Sequence, residues 1–300
     1  MLLCPILSAA QQDSHFSQGI FNPGYVNPGS YGLVNDDMFC ATVVNRIQTQ
    51  SFDGAPVTTV FNVNGPLEFI NSGVSLSVFN DKIGFLSTPG FNLGYSYIFE
   101  LPSGKLGVGL SLGMINSKYD SNEWRLPDGT GDIALPTESI DATSFDGGLG
   151  VYYTNDKFFA GLSCAHINRP SLTKASSETT FGRTFYAMAG YRFVFGLTGS
   201  YELCPSIYVN TDFGVGKYTA NAHLFYEKKY WCGLSYRLDE AIVFNVGLEL
   251  IKNLRVGYSY DYITTDIQKY SSGTHEILVS YRFSISTIKK DNQRKSIRYL

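Results

Sequence analysis

Residues 105–114 read Lys-Leu-Gly-Val-Gly-Leu-Ser-Leu-Gly-Met, with an apolar side chain at every second position. Side chains on a β-strand alternate between two faces, so this stretch predicts a strand whose apolar face includes Leu106, Val108 and Leu110. Gly, Ser and Lys occupy the opposite face. The pattern is typical of a strand that separates an apolar environment from a polar one.

The same alternation returns along most of the chain and is clearest at residues 253–263. One face there carries aliphatic side chains and Tyr, and the other carries small or polar side chains such as Ser259 and Asp261. The apolar face is rich in aromatic residues, and the small and polar face is too uniform to be a packed core. We therefore predict an all-β fold, a transmembrane antiparallel β-barrel with lipid outside and a polar lumen.

The composition fits this fold and excludes others. The 21 Tyr and 21 Phe suit a lipid-facing wall with aromatic girdles, and the 30 Gly suit tight turns and crowded lumen positions. Charged residues make up 16% of the chain and the net charge is −3, so nothing indicates nucleic-acid binding. No apolar run approaches the ~20 residues of a membrane helix, so a helical membrane protein is not expected.

Alternation and turn signals together predict about fourteen strands, with twelve or sixteen as alternatives. An even number places both chain ends on the periplasmic side, with longer loops outside and tight turns inside. Long loops are expected at 49–56, 80–90, 117–141, 167–181 and 264–273, and tight turns at 102–104, 155–156 and 252. The expected strands are 38–48, 57–65, 71–79, 91–101, 105–116, 142–154, 157–166, 182–195, 202–212, 215–226, 229–237, 241–250, 253–263 and 274–284.

The sequence divides into four segments around this barrel. Residues 1–10 resemble the end of a secretory signal peptide, although they lack a basic stretch. Residues 11–37 show no alternation and form a pre-barrel segment that either plugs the lumen or faces the periplasm. The barrel is expected at 38–284, and residues 285–300 form a basic periplasmic tail.

The pre-barrel segment supplies the candidates for partner binding. It contains two Asn-Pro-Gly turn formers and two aromatic side chains, which a membrane wall cannot use. A plug without a partner and a docking site for periplasmic proteins both explain it. The candidate residues are Phe16, Phe21, Asn22, Pro23, Asn27 and Pro28.

Charged residues on the lumen face are the other candidates. The mixed signs favour pairing with one another, which fills and stiffens the lumen, over a permeation path or a peptide docking site. By strand parity, the inward-pointing residues are Glu100, Arg192, Arg237, Glu249, Arg255, Asp261, Glu276 and Arg282.

No pattern predicts catalysis, a metal site or a cofactor. The four histidines lie far apart in the sequence and none has a ligand at metal spacing on its own face. Some outer-membrane barrels are lipid hydrolases with Ser and His on the outer wall. His275 is predicted to face outward and Ser280 inward, so a catalytic pair would need a Ser from a neighbouring strand. Five scattered cysteines lack metal spacing, and their disulfide state stays open.

Several segments resemble, in matching order, the PorP/SprF family. The strongest are Gly-Tyr-Ser-Tyr-Asp-Tyr at 257–262, the segment 269–276, and Tyr-Arg-Phe at 281–283. The others are 11–18, 21–23, 26–29, 45–46, 53–58 and 78–84.

The resemblance implies an outer-membrane protein of the type IX secretion and gliding machinery of Bacteroidota. It implies a non-enzymatic barrel that works with periplasmic ring proteins and with secreted proteins or surface adhesins carrying C-terminal sorting domains. The alternative from the residues alone is a passive channel or a transporter of hydrophobic substrates. Both functions place the protein in contact with outer-membrane lipid.

Overall fold

The computed structural model describes residues 15–35, 37–51, 54–119, 140–174, 177–196, 199–269 and 271–285. The predicted signal remnant at 1–10 lies outside the described residues, as does all of the predicted basic tail except Ile285. None of the helical turns in the described part of the chain is long and apolar enough to cross a membrane.

Seventeen strands form within these residues, and fourteen of them make up one closed antiparallel barrel. The barrel strands run in chain order and close where β17 pairs with β1. The fourteen-strand prediction is therefore confirmed. The barrel strands are β1 (Phe39–Ile47), β2 (Val57–Leu67), β3 (Ser72–Ile83), β4 (Leu86–Leu101), β5 (Gly104–Tyr119), β6 (Ile140–Thr154), β7 (Phe158–Ala165), β10 (Thr184–Tyr191), β12 (Tyr201–Thr211), β13 (Gly216–Tyr226), β14 (Tyr230–Arg237), β15 (Ala241–Ile251), β16 (Leu254–Ile263) and β17 (Thr274–Phe283).

Three shorter strands complete the set. β8 (Ser171–Lys174) and β9 (Ser177–Thr180) form a separate hairpin inside the segment predicted as a long loop at 167–181. β11 (Phe193–Phe195) continues the line of β10 after a break at Arg192 and pairs with β12. The predicted strand at 182–195 is thus two strands.

One predicted loop is wrong. Residues 80–90 were expected to be a long connection, but β3 extends to Ile83 and β4 begins at Leu86. Only Gly84 and Phe85 join them, and the ladder continues through the pairs Asp81–Thr88 and Lys82–Ser87. Both strands carry polar side chains here, so the hydrophobic alternation stops before the hairpin does.

The two ends of the barrel differ in their connections. The end where β1 begins and β17 finishes, here called the turn end, has short connections such as Pro102-Ser103 and Lys252-Asn253. Asn253 adopts a left-handed conformation with φ of 70°, which Asn tolerates in a two-residue hairpin turn. The opposite end, called the loop end, carries four long connections, at 48–56, 120–139, 166–183 and 264–273, as predicted, and three short ones, at 84–85, 212–215 and 238–240.

The wall has its apolar side outside. On β5, Val108, Leu110 and Leu112 are 44%, 42% and 64% exposed, whereas Gly107 and Gly109 between them are buried. Tyr258 and Tyr262 on β16 are likewise exposed, and Ser259 and Asp261 are buried. Such a wall is stable only where lipid covers it.

We predict that Leu112→Arg destabilises the barrel in a membrane by about 2–4 kcal/mol, because it places a charge against hydrocarbon. Ser111→Arg is the matched control, since Ser111 faces a lumen cavity that can accommodate the new side chain. The measurement is the free energy of unfolding from lipid vesicles. Equal losses for the two neighbours would contradict the assignment of faces.

Candidate functional site

Residues 15–35, called the plug, lie inside the lumen. They form three single 3-10 turns, at Gly19–Phe21, Pro23–Tyr25 and Pro28–Ser30. Each Pro starts its turn, where its missing N–H costs nothing. The Asn27 side chain accepts from the Gly29 N–H at 2.9 Å, which fixes the third turn.

An ion cluster near the loop end holds the first residues of the plug. It consists of Arg46, Arg237, Asp261 and Glu276, each at most 2% exposed. Arg46 lies 2.7 Å from Asp261 and 3.0 Å from Glu276, and Arg237 lies 3.1 Å from Asp261. The two positive and two negative charges balance, so each is compensated although none reaches bulk water.

Ser17 and Gln18 are bound directly by this cluster. The backbone N–H groups of both residues donate to the Glu276 carboxylate, each at 2.8 Å. The Ser17 hydroxyl donates to Asp261 at 2.8 Å and accepts from Arg46 at 2.9 Å. One carboxylate thus pairs two consecutive N–H groups that the irregular backbone of the plug would otherwise leave unsatisfied.

His15 adds no charge to the cluster. Burial and the nearby positive charges of Arg237, Arg46 and Lys217 lower the pKa of His15 well below its usual value. The imidazole is therefore neutral at pH 7, and its Nε2 lies 3.3 Å from the Thr219 hydroxyl. The charge balance of the cluster does not depend on this histidine.

A cradle of inward-facing glycines accommodates the other half of the plug. It consists of Gly73, Gly94, Gly107, Gly109, Gly150 and Gly161, on β3 to β7. A Cβ at Gly107 would overlap the carbonyl oxygen of Gly29, and a Cβ at Gly73 would overlap that of Tyr31. Glycine at these positions lets the backbone of the plug approach the backbone of the wall.

Asn27 ties the plug to the wall at the centre of this cradle. Its Nδ2 donates to the carbonyl oxygens of Val151 at 3.1 Å and Leu162 at 3.4 Å, on β6 and β7. Asn27 is fully buried. Beside it, the Ser163 hydroxyl donates to the Val26 carbonyl at 2.7 Å.

An aromatic cluster holds the first half of the plug at a third point. The Phe21 ring lies 4.8 Å from Trp231, 6.2 Å from His223 and 6.0 Å from Phe225, measured between centroids. Phe16 instead packs edge-on against Tyr25 of the plug itself, at 5.1 Å. The two aromatic residues of the plug therefore contact different surfaces.

The structure brings all six partner-binding candidates into the lumen. Asn22, Pro23, Asn27 and Pro28 are buried, and Phe16 and Phe21 are half-buried. As they lie, the barrel wall covers most of the surface that a partner could contact. Their role in partner binding stays a prediction.

The lumen charges fall into three groups and one outlier. Arg237, Asp261 and Glu276 belong to the ion cluster. Glu249 lies 3.2 Å from Arg282 and 3.8 Å from Arg255, which forms a second group. Arg192 donates to the Asn155 carbonyl and lies over the Phe159 ring, and Glu100 is exposed at the turn end.

Sequence reasoning missed Arg46 and Ser17 as members of the site. Arg46 shares the inward face of β1 with Cys40, Thr42 and Val44, so strand parity could have identified it. No sequence signal could have identified Ser17, since its partners lie more than 200 residues away along the chain, apart from Arg46.

The histidines do not form a shared site. His166 pairs with Asp146 at 2.8 Å, and His223 lies in the aromatic cluster. His275 faces outward, 2.6 Å from the Tyr258 hydroxyl, while Ser280 faces inward beside Cys40. The structure therefore does not bring His275 and Ser280 together.

A cavity of about 530 Å³ lies between the plug and the loop end. The side of the cavity that faces the turn end is lined by the plug residues Tyr25, Val26, Pro28 and Tyr31. At the loop end the cavity is lined by Ile83 and Val215. The described plug residues thus close the cavity toward the turn end.

Comparison with known proteins assigns this architecture to a family. The family model described as type IX secretion system membrane protein PorP/SprF matches residues 8–281. No curated protein matches the chain.

Two solved barrels illustrate the similarity of fold. Outer membrane protein Omp33 of Acinetobacter baumannii matches with a TM-score of 0.50 at 10% identity, covering 82% of this chain and 98% of that one. A deletion mutant of TodX, described as a monoaromatic hydrocarbon channel, matches with a TM-score of 0.50 at 12% identity, covering 86% and 93%. At these identities the likeness shows the fold alone.

We predict that Glu276→Gln lowers the free energy of unfolding by about 3 kcal/mol, because it leaves two buried arginines with Asp261 as their one buried carboxylate. Glu240→Gln is the matched control. Glu240 also pairs with Arg237, at 3.0 Å, but its side chain is 38% exposed, so the loss should stay below about 1 kcal/mol. Similar losses for both variants would show that the cluster is not a buried anchor.

For the glycine cradle, Gly107→Ala should cost about 1–3 kcal/mol, because the new methyl group overlaps the backbone of the plug. Gly147→Ala is the control, since its Cβ would meet its nearest neighbours at 3.6 and 3.7 Å. Its effect should stay within about 0.5 kcal/mol. Deleting the plug should abolish the difference between the two variants, and a difference that persists would place its origin in the wall.

Proposed function

Because the chain belongs to the type IX secretion system membrane protein PorP/SprF family, we propose that it is a plugged, non-enzymatic barrel that binds other polypeptides of this machinery. The family and the fold place it in the outer membrane. The proposed partners are periplasmic ring proteins of the secretion system and secreted proteins or surface adhesins with C-terminal sorting domains.

The observation that carries the proposal is the fit between plug and wall. A diffusion pore needs a continuous water-filled path with free polar groups, but here the charges of the ion cluster pair with one another and with the plug. The glycine cradle allows close contact with the backbone of a polypeptide, which a mobile solute does not need. These features support a barrel that positions polypeptide.

The orientation follows from the lengths of the connections. Outer-membrane barrels have short periplasmic turns and longer external loops. The turn end then faces the periplasm, where ring proteins are found, and the loop end faces the cell surface. A barrel of this kind offers separate surfaces to periplasmic and secreted partners.

The alternative is a passive channel or a transporter of hydrophobic substrates. In that case the plug must move or leave during transport. No contact in the described residues favours this function over the first, so the two are separated by experiment.

We predict that a plug locked to the wall still supports secretion. Asn27→Cys with Gly150→Cys, made in a background free of other cysteines, joins the two surfaces, since a Cβ at Gly150 would lie 3.1 Å from the Asn27 Cγ. In cells that lack the native gene, the oxidised variant should restore secretion of type IX cargo, and in planar bilayers it should conduct no more than wild type. A barrel without residues 15–35 is the positive control for conductance.

The channel function makes the opposite prediction. It requires the locked barrel to lose a conductance that the wild-type barrel shows in planar bilayers, and to regain it when the disulfide is reduced. That outcome would overturn the proposal. Full secretion without the gene would overturn the proposed function and leave the channel function as the alternative.

A further inference from the structure

The two halves of the plug attach to opposite sides of the lumen. Residues 15–22, called the latch segment, make their hydrogen bonds and ring contacts to β1, β13, β14, β16 and β17. Residues 25–35 make theirs to β2, β3, β4, β6 and β7. Pro23 and Gly24 join the halves, which bind separate parts of the wall and also meet where the Phe16 ring packs on Tyr25.

Several polar side-chain atoms at the interface between the latch segment and the wall make no hydrogen bond within the described residues. Six residues at this interface carry buried side-chain nitrogen or oxygen atoms without a hydrogen-bond partner among the described residues, and each is at most 7% exposed. At the other half of the plug, by contrast, Asn27, Ser30 and Ser96 all have partners. On the latch segment the unpaired atoms are both amide atoms of Gln18 and Oδ1 of Asn22. On the wall they are both ring nitrogens of His223, the indole nitrogen of Trp231, and Nε of Arg46 and Arg237.

We propose that the wall between β13 and β1 is a peptide-binding groove, which the latch segment occupies until a segment of another polypeptide replaces it. The inference rests on the proposed function, in which the barrel binds polypeptides. The unpaired wall atoms, on Arg46, His223, Trp231 and Arg237, are hydrogen-bonding capacity that the chain's own segment does not use.

The contacts of the latch segment define the chemistry of the ligand. The Glu276 carboxylate accepts hydrogen bonds from two consecutive backbone N–H groups, so Pro is excluded at those positions of the ligand. Arg46 donates a hydrogen bond to a hydroxyl group on the first of these residues, and Asp261 accepts one from it. Trp231, His223 and Phe225 receive an aromatic ring four residues later. The ligand is a peptide with Ser or Thr followed at the fourth position by an aromatic residue.

The groove can be tested by weakening its resident segment without altering its wall. Gln18→Pro removes an N–H that Glu276 binds, and Phe21→Ala removes the ring. The probe is a fluorescent peptide with the sequence of residues 15–23, and binding to the full-length barrel in nanodiscs is measured by anisotropy. The double variant should bind the probe at least tenfold more tightly than wild type. If the double variant does not insert, Phe21→Ala alone replaces it.

Two sets of controls establish that the groove is the site. Adding Glu276→Gln to the double variant should weaken binding at least tenfold, whereas adding Glu240→Gln should leave it unchanged. Probes in which Ala replaces the serine or the second phenylalanine should bind at least tenfold more weakly, and a scrambled probe should not bind.

Absence of probe binding to the opened barrel would overturn the inference, as would equal binding of the scrambled peptide or indifference to Glu276→Gln. These outcomes are independent of the proposed function, because the assay uses purified barrel and peptide. The proposed function fails separately if cells that lack the gene secrete type IX cargo normally.

Discussion

The absence of water in the membrane core is the constraint on which this structure depends. An unpaired backbone N–H or C=O in hydrocarbon costs several kcal/mol, so the sheet must close on itself, as β17 does against β1. Closure with lipid outside then turns every second side chain toward a lumen. An apolar lumen would be no different from the lipid-facing side, so the lumen carries Ser, Asn, Gly and charges, and the plug occupies part of it.

The plug solves the packing of such a lumen in two ways. On one side, charges and hydroxyl groups replace the water that the polar wall requires, with Glu276 binding the backbone of Ser17 and Gln18. On the other side, glycines remove side chains so that backbone packs on backbone, with Asn27 anchored between β6 and β7. The first kind of contact can be exchanged for another polar ligand, whereas the second depends on close fit. This difference is the physical basis for assigning them different roles.

The barrel could be predicted from sequence because its signal is local. The alternation of apolar and polar residues, together with the turn residues, located all fourteen barrel strands, because each strand faces the same two environments. The hairpin at β3 and β4 was missed because it extends beyond the apolar band, where pairs such as Lys82–Ser87 are polar on both strands. The site is not local. Gly107 is ordinary in sequence, and its function appears only when Gly29 lies against it.

Amide hydrogen exchange of the plug in the membrane-embedded protein tests the account most directly. The account predicts that the amides of Asn27 and of residues 29–32 exchange as slowly as those of the barrel strands, and that Ser17 and Gln18 are protected by Glu276 but open sooner. Exchange of the whole plug at the rate of an unstructured peptide would contradict it. In that case the glycine cradle and the ion cluster would not hold the plug against the lumen wall.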